Sequence, residues 1–184
     1  MKKIVLTLVA LVGFAAASQA QSASASASQS ASLVLSNAIA LTFTGSGTST
    51  GGAVSLPFTT VSDYANGVSS TAQQLKVQSN LAFDVAVKAN ASNFTYTGTY
   101  TTGTTMPVSG VLKLMVSSNT TGGSIVTPFS TTAYSTLTST DQNLINSGTY
   151  GSNQLFSILY QATPGFTYPA GTYNTSVVYT ATQQ

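Results

Sequence analysis

The stretch Leu75-Lys-Val-Gln-Ser-Asn-Leu-Ala-Phe-Asp-Val-Ala-Val-Lys-Ala89 alternates apolar and polar side chains with a period of two. A helix repeats every 3.6 residues, so this alternation reads as β structure with one face dry and the other wet. It turns Phe83, Val85 and Val87 inward and leaves Asp84 and Lys88 together on the wet face. The same rhythm recurs on both sides. Asn93–Tyr100 sets Phe94, Tyr96 and Tyr100 against threonines, and Val111–Val116 sets Leu112, Leu114 and Val116 against Lys113. Gln154–Ala162 alternates through Phe156, Ile158 and Tyr160, and Tyr173–Thr182 through Val177, Tyr179 and Ala181. Between the runs stand turn-forming residues: Gly45–Gly52, Asn66-Gly67, Gly122-Gly123, Gly148–Gly151, Pro164-Gly165 and Pro169-Ala-Gly171. The pattern predicts an all-β fold, two antiparallel sheets packed face to face as a β-sandwich of six to nine strands. One segment reads differently. Ser139–Gly148 has a capping residue, then Asp141, then the adjacent pair Leu144-Ile145, then Gly, which predicts a short helical turn.

Upstream, Gln21-Ser-Ala-Ser-Ala-Ser-Ala-Ser-Gln-Ser-Ala-Ser32 is a low-complexity arm. Its Ala23, Ala25, Ala27 and Ala31 keep the two-residue phase and run on into Leu33, Leu35, Ile39, Leu41 and Phe43. As one strand this stripe would span about 70 Å at about 3.3 Å per residue, longer than a small sandwich uses. The expected division is a core strand over Leu33–Phe43 preceded by an overhang with little apolar area. Residues 1–20 read as a signal peptide: Lys2-Lys3, an apolar run from Ile4 to Ala17, and Ser18-Gln19-Ala20 before the expected cleavage. The domain expectation is therefore signal 1–20, arm 21–32 and sandwich 33–184. Export places the mature chain in the periplasm, on the cell surface or outside the cell. The apolar run is shorter than a membrane-spanning helix needs, so no membrane span is expected.

Composition narrows the chemistry. The 184 residues include 27 Ser and 30 Thr, and only 4% are charged, against about 25% in ordinary domains. Beyond the signal, Lys76, Lys88 and Lys113 balance Asp63, Asp84 and Asp141. His, Cys, Trp, Arg and Glu are absent. A nucleophilic triad lacks its histidine base, a zinc site lacks its ligands, and three separate aspartates offer no acid pair. Three lysines make no phosphate-binding footprint, so nucleic acid is not an expected partner. Asp84 and Lys88, four apart on a strand, sit about 13 Å from each other and cannot cross-link by themselves. The expectation is a protein without catalytic, cofactor or metal sites. The tyrosines Tyr96, Tyr100, Tyr150, Tyr168 and Tyr173 lie among Thr and Gly and suggest an alternative, a secreted carbohydrate-binding module that stacks glycans on their rings. The matches to the glycosylation pattern at Asn90, Asn93, Asn119 and Asn174 are of the number chance supplies in so Ser- and Thr-rich a chain.

The terminal segments Phe156-Ser-Ile-Leu-Tyr160 and Tyr168-Pro-Ala-Gly-Thr-Tyr-Asn-Thr-Ser-Val-Val-Tyr-Thr-Ala-Thr182 resemble the last hairpin of chaperone-usher pilins and of the spore-coat-protein-U group. Leu75–Ala89 resembles a middle strand pair of the same secreted bacterial subunits. The resemblance implies an immunoglobulin-like, pilin-like sandwich and a structural or adhesive role in the cell envelope. It also implies self-association, or pairing with other envelope proteins, by strand addition into a fimbria-like fibre. The donor would be the arm, through Ala23, Ala25, Ala27, Ala31, Leu33 and Leu35. The chain departs from those families in offering mainly alanines there and in having no disulfide.

Overall fold

The computed structural model describes residues 25–184, and the chain divides between Leu35 and Ser36. Ala23 and the signal segment lie outside the described residues. Residues 25–35 belong to no strand and are exposed throughout.

The unit Ser36–Gln184 opens with β1 (Ile39–Phe43), α1 (Val61–Asn66), β2 (Val68–Ser69), β3 (Gln73–Ser79), β4 (Phe83–Ala89) and β5 (Thr95–Thr97). It continues with β6 (Leu112–Asn119), β7 (Ser124–Ile125), β8 (Ser135–Thr136), β9 (Gln142–Gly148), β10 (Gly151–Ala162), β11 (Thr172–Asn174) and β12 (Val177–Gln183). Every pairing is antiparallel. One sheet runs β1-β3-β10-β6-β8, with β2 beside β10; a second runs β12-β4-β9-β7; β11 and β5 form a separate ribbon. The described residues thus hold twelve strands where six to nine were expected, and five of the twelve are only two or three residues long.

The founding run Leu75–Ala89 breaks at Asn80–Ala82 and passes from the first sheet to the second. Its phase survives the break. Leu75, Val77, Phe83, Val85, Val87 and Ala89 are all fully buried, and they join Leu114, Val116, Phe156 and Ile158 of the first sheet and Leu144 and Ile145 of the second in one apolar cluster. Emptying such a site by a large-to-alanine change costs about 2–5 kcal/mol.

Two expectations about single elements need correction. Ser139–Gly148 forms no helical turn, because Gln142–Gly148 is strand β9. Its register against β4 slips twice: Ile145 faces Val85 and Asn143 faces Ala86, so Leu144 is an extra residue. A bulge of this kind turns two successive side chains the same way, which is why the adjacent pair Leu144-Ile145 is buried. Pairing with β4 overrides the local cap signal. The helix lies instead at Val61–Asn66, behind a capping box in which Asp63 N–H donates to Thr60 Oγ1 at 3.3 Å and Thr60 N–H to Asp63 Oδ2 at 2.7 Å. It ends at Gly67, whose φ of +82° suits glycine and where a Cβ would strike Thr163 and the Ala162 carbonyl. Finally, the first strand starts at Ile39 and not at Leu33. Ile39 pairs with Ser79, the last residue of β3, so residues 33–38 have no strand left to pair with.

Shorter differences follow the same logic. Asn93–Tyr100 yields only β5, and Tyr173–Thr182 splits into β11 and β12 where Asn90 Oδ1 accepts from Thr175 Oγ1 and Ser176 N–H. Lys88 pairs with Asp141 at 3.1 Å across the β4–β9 neighbourhood, and Asp84 accepts from Ser147 N–H and Gln184 Nε2, both at 2.8 Å.

Candidate functional site: a strand border and an exposed arm segment

Each sheet has one long edge strand, β1 in the first and β12 in the second, and the two lie together. The Phe43 ring meets Tyr179 edge-on at 6.1 Å, and Tyr179 also packs on Phe156 at 6.3 Å. Tyr179 and Tyr160 share a 2.8 Å hydrogen bond between hydroxyls, linking β12 to β10 of the other sheet. Burial pushes the Tyr160 hydroxyl up to about 12, and burial beside Tyr160 raises Tyr179 well above the ordinary tyrosine range. Both stay neutral donors in ordinary buffers.

The backbone of this border is directional. Thr44 N–H donates to Gln74 O while Phe43 N–H turns the other way to Thr48 O, so even residues face β3 and Ile39 and Leu41 face outward. On β12, Asn90 N–H donates to Ser176 O and Gln184 N–H to Ala82 O, so even residues face β4 and Val177, Tyr179 and Ala181 face outward. No strand pairs beyond either edge among the described residues. Leu41, Phe43, Val177, Tyr179 and Ala181 pack against the core while remaining only partly buried. Neither strand carries a charge, and an edge without lysines or bulges is open to pairing.

Of the arm residues singled out from sequence, Ala25, Ala27, Ala31, Leu33 and Leu35 are exposed. Leu33, Val34 and Leu35 show 84%, 88% and 78% of their surface, a concentration of exposed aliphatic area.

The five tyrosines do not form one platform. Tyr96 and Tyr173 face each other across the β5–β11 ribbon at 5.0 Å, and Tyr168 packs on Tyr173 at 6.4 Å. Their hydroxyls turn inward: Tyr96 Oη donates to Ala170 O at 3.0 Å and accepts from Tyr100 N–H at 3.2 Å, while Tyr173 Oη donates to Pro169 O at 2.9 Å. A Cβ on Gly98 or Gly171 would collide with Tyr96. These rings therefore knot the Pro169-Ala-Gly171 turn together. Burial, and then the neighbouring Tyr96 and Tyr168, raise the Tyr173 hydroxyl. Tyr100 and Tyr150 are exposed, and Tyr150 lies away from the knot in the turn before β10. A second aromatic group escaped the sequence reading: Phe58 meets Tyr64 at 5.4 Å, and Phe166 stacks on Tyr64 at 5.5 Å. It sits on α1 and loops, where no periodicity betrays it.

Among the described residues no three carboxylates gather, and no helix is long and apolar enough to cross a membrane. No protein-family model matches the chain, and no curated protein is similar enough to match it.

Proposed function

We propose that this is a non-enzymatic structural or adhesive subunit of the bacterial cell envelope, exported behind its first 20 residues. In this reading the two larger sheets form an immunoglobulin-like, pilin-like sandwich, and subunits join by strand addition, fimbria-like, through the N-terminal arm. One observation carries it: an uncharged border of unpaired backbone at β1 and β12 exists in the same chain as an exposed Leu33-Val34-Leu35 segment. The two are complementary. An open edge lacks hydrogen-bond partners, and an extended apolar segment lacks cover. Burying a leucine contributes about 1.5–3 kcal/mol, whereas each alanine methyl contributes about 0.8, so Leu33 and Leu35 are the anchors and the alanines extend the register. A skin of Ser and Thr suits close packing of copies, since it hydrates the surface without like-charge repulsion.

The deciding experiment compares the chain from Gln21 onward with one lacking residues 21–35, by light scattering and negative-stain microscopy. The full chain is expected to form oligomers or fibres and the shortened one to stay monomeric. Equal particle size for both would overturn strand addition.

A further inference from the structure

The β1–β3 ladder ends where Ile39 meets Ser79, yet the backbone before it is not loose. Asn80 N–H donates to Ala38 O at 3.2 Å, and the Asn80 side chain then takes the ladder one step further. Its Oδ1 accepts from Ala38 N–H at 2.9 Å and its Nδ2 donates to Ser36 O at 2.9 Å. A side-chain amide carries the same donor and acceptor as a peptide group, so Asn80 stands in for the residue that β3 no longer supplies. From the other sheet, Gln183 Nε2 reaches Ala38 O at 2.9 Å, Asn80 Oδ1 at 2.9 Å and Ser79 Oγ at 3.0 Å. The next residue, Gln184, is tied by its N–H to Ala82 O and by Nε2 to Asp84 Oδ1, which holds the end of β12 in place. Ala38 thus has its N–H used and its carbonyl doubly used, and Ser36 has its carbonyl used.

We infer that Asn80 and Gln183 are positioning residues for assembly: their amides clasp the root of the arm at Ser36–Ala38 and leave residues up to Leu35 as the segment free to pair with a second copy. This rests on the strand-addition reading above. The clasp does two things. It stops the arm's root from fraying, which lowers the entropy lost when the arm docks. It also sets the register, because Ala38 has no spare backbone group and Ser36 no spare carbonyl to offer a neighbour.

Amide hydrogen exchange by NMR on the monomeric fraction of the chain from Gln21 onward tests the clasp, with assembly followed by light scattering. Asn80→Ala should speed exchange of the Ala38 amide about tenfold, the size expected for losing one hydrogen bond, with the β4 and β10 amides unchanged. Asn80→Asp keeps an acceptor for that amide and should keep it slow. Asn80→Ala combined with Gln183→Ala should assemble about tenfold more slowly at an unchanged fold, and Gln183→Ala alone should act in the same direction if the double variant fails to fold. An Ala38 amide as slow in Asn80→Ala as in the parent overturns the clasp, as does parental assembly by these variants where removal of residues 21–35 abolishes it. If removing those residues leaves assembly unchanged, strand addition fails, and the Ala38 exchange rates still decide for or against the clasp.

Discussion

The border of β1 and β12 and the opposite border of β7 and β8 solve the problem of a sheet edge in contrasting ways. At the second, the edge strands are two residues each, and the chain continues from each of them to the other sheet. Val126 N–H donates to Leu144 O of β9, and Val116 N–H of β6 donates to Ser130 O, so the segment 126–130, with Pro128 inside it, straps one sheet to the other. Leu137 and Thr138 form a second strap, from Leu112 O to Ala89 N–H. Phe129 and Leu137 drive their side chains from these straps into the core. At the first border no strand pairs beyond the edges among the described residues, and the edges are longer, with outward backbone groups and half-buried apolar side chains. Short, strapped edges are closed to partners, whereas long, uncharged ones stay open. On the strand-addition proposal, the difference assigns association to the first border.

The largest way to break the contrast is to open the strapped border. Phe129→Ala should cost about 3–5 kcal/mol, as emptying a buried aromatic site does, and should be seen as a lower urea midpoint with increased aggregation of the unit. A loss under about 1 kcal/mol would show that the strap is not what seals that side.

An intermediate effect is expected at the open border. Tyr179→Phe strands the buried Tyr160 hydroxyl and should lower stability by about 1–2 kcal/mol in chemical denaturation. The pair also sets an alkaline limit. Tyr160 is raised from 10.0 to about 12 on folding, so its contribution is whole below pH 10 and is lost as pH rises through the folded value. Thermal melts across that window should fall for the parent, and the fall should shrink in a chain carrying both Tyr160→Phe and Tyr179→Phe.

The smallest effect on the fold and the sharpest on assembly belongs to Ala181→Pro. Ala181 N–H faces outward, so proline there removes a donor from the open edge and none from the β4–β12 ladder. Stability is expected to change by less than about 1 kcal/mol while assembly seen by light scattering is lost. Assembly as strong as the parent's would move the acceptor edge from β12 to β1.

Much of this was legible because a period of two resumes in phase where the chain changes sheets: Leu75 and Val77 before the break at Asn80–Ala82, and Phe83, Val85, Val87 and Ala89 after it, are all buried odd positions. Leu112, Leu114, Val116, Phe156 and Ile158 were readable for the same reason. The helix at Val61–Asn66 was written in the cap of Thr60 and Asp63 and in Asn66-Gly67, but its six residues bury no side chain and show no apolar rhythm to draw attention. Asp63 shows how local that device is: backbone N–H groups of Thr59 and then Thr60 hold its carboxyl below the ordinary value. At the candidate site, the arm's alternation was visible, whereas the clasp at Asn80 and Gln183 joins residues 103 apart that no local pattern connects.

Sequence by itself determined that the chain is β-rich, antiparallel in its local turns, nearly uncharged and poor in reactive groups, since alternation and composition act residue by residue. Only the tertiary structure decided where strands stop, that Leu144 and Ile145 share a bulged strand, that three tyrosines knot a turn, and which border stays open. A strand exists only as far as its partner does, and partners come from distant parts of the chain. That is why β1 begins at Ile39, against the last residue of β3, although its alternation, interrupted only at Asn37, runs back to Leu33.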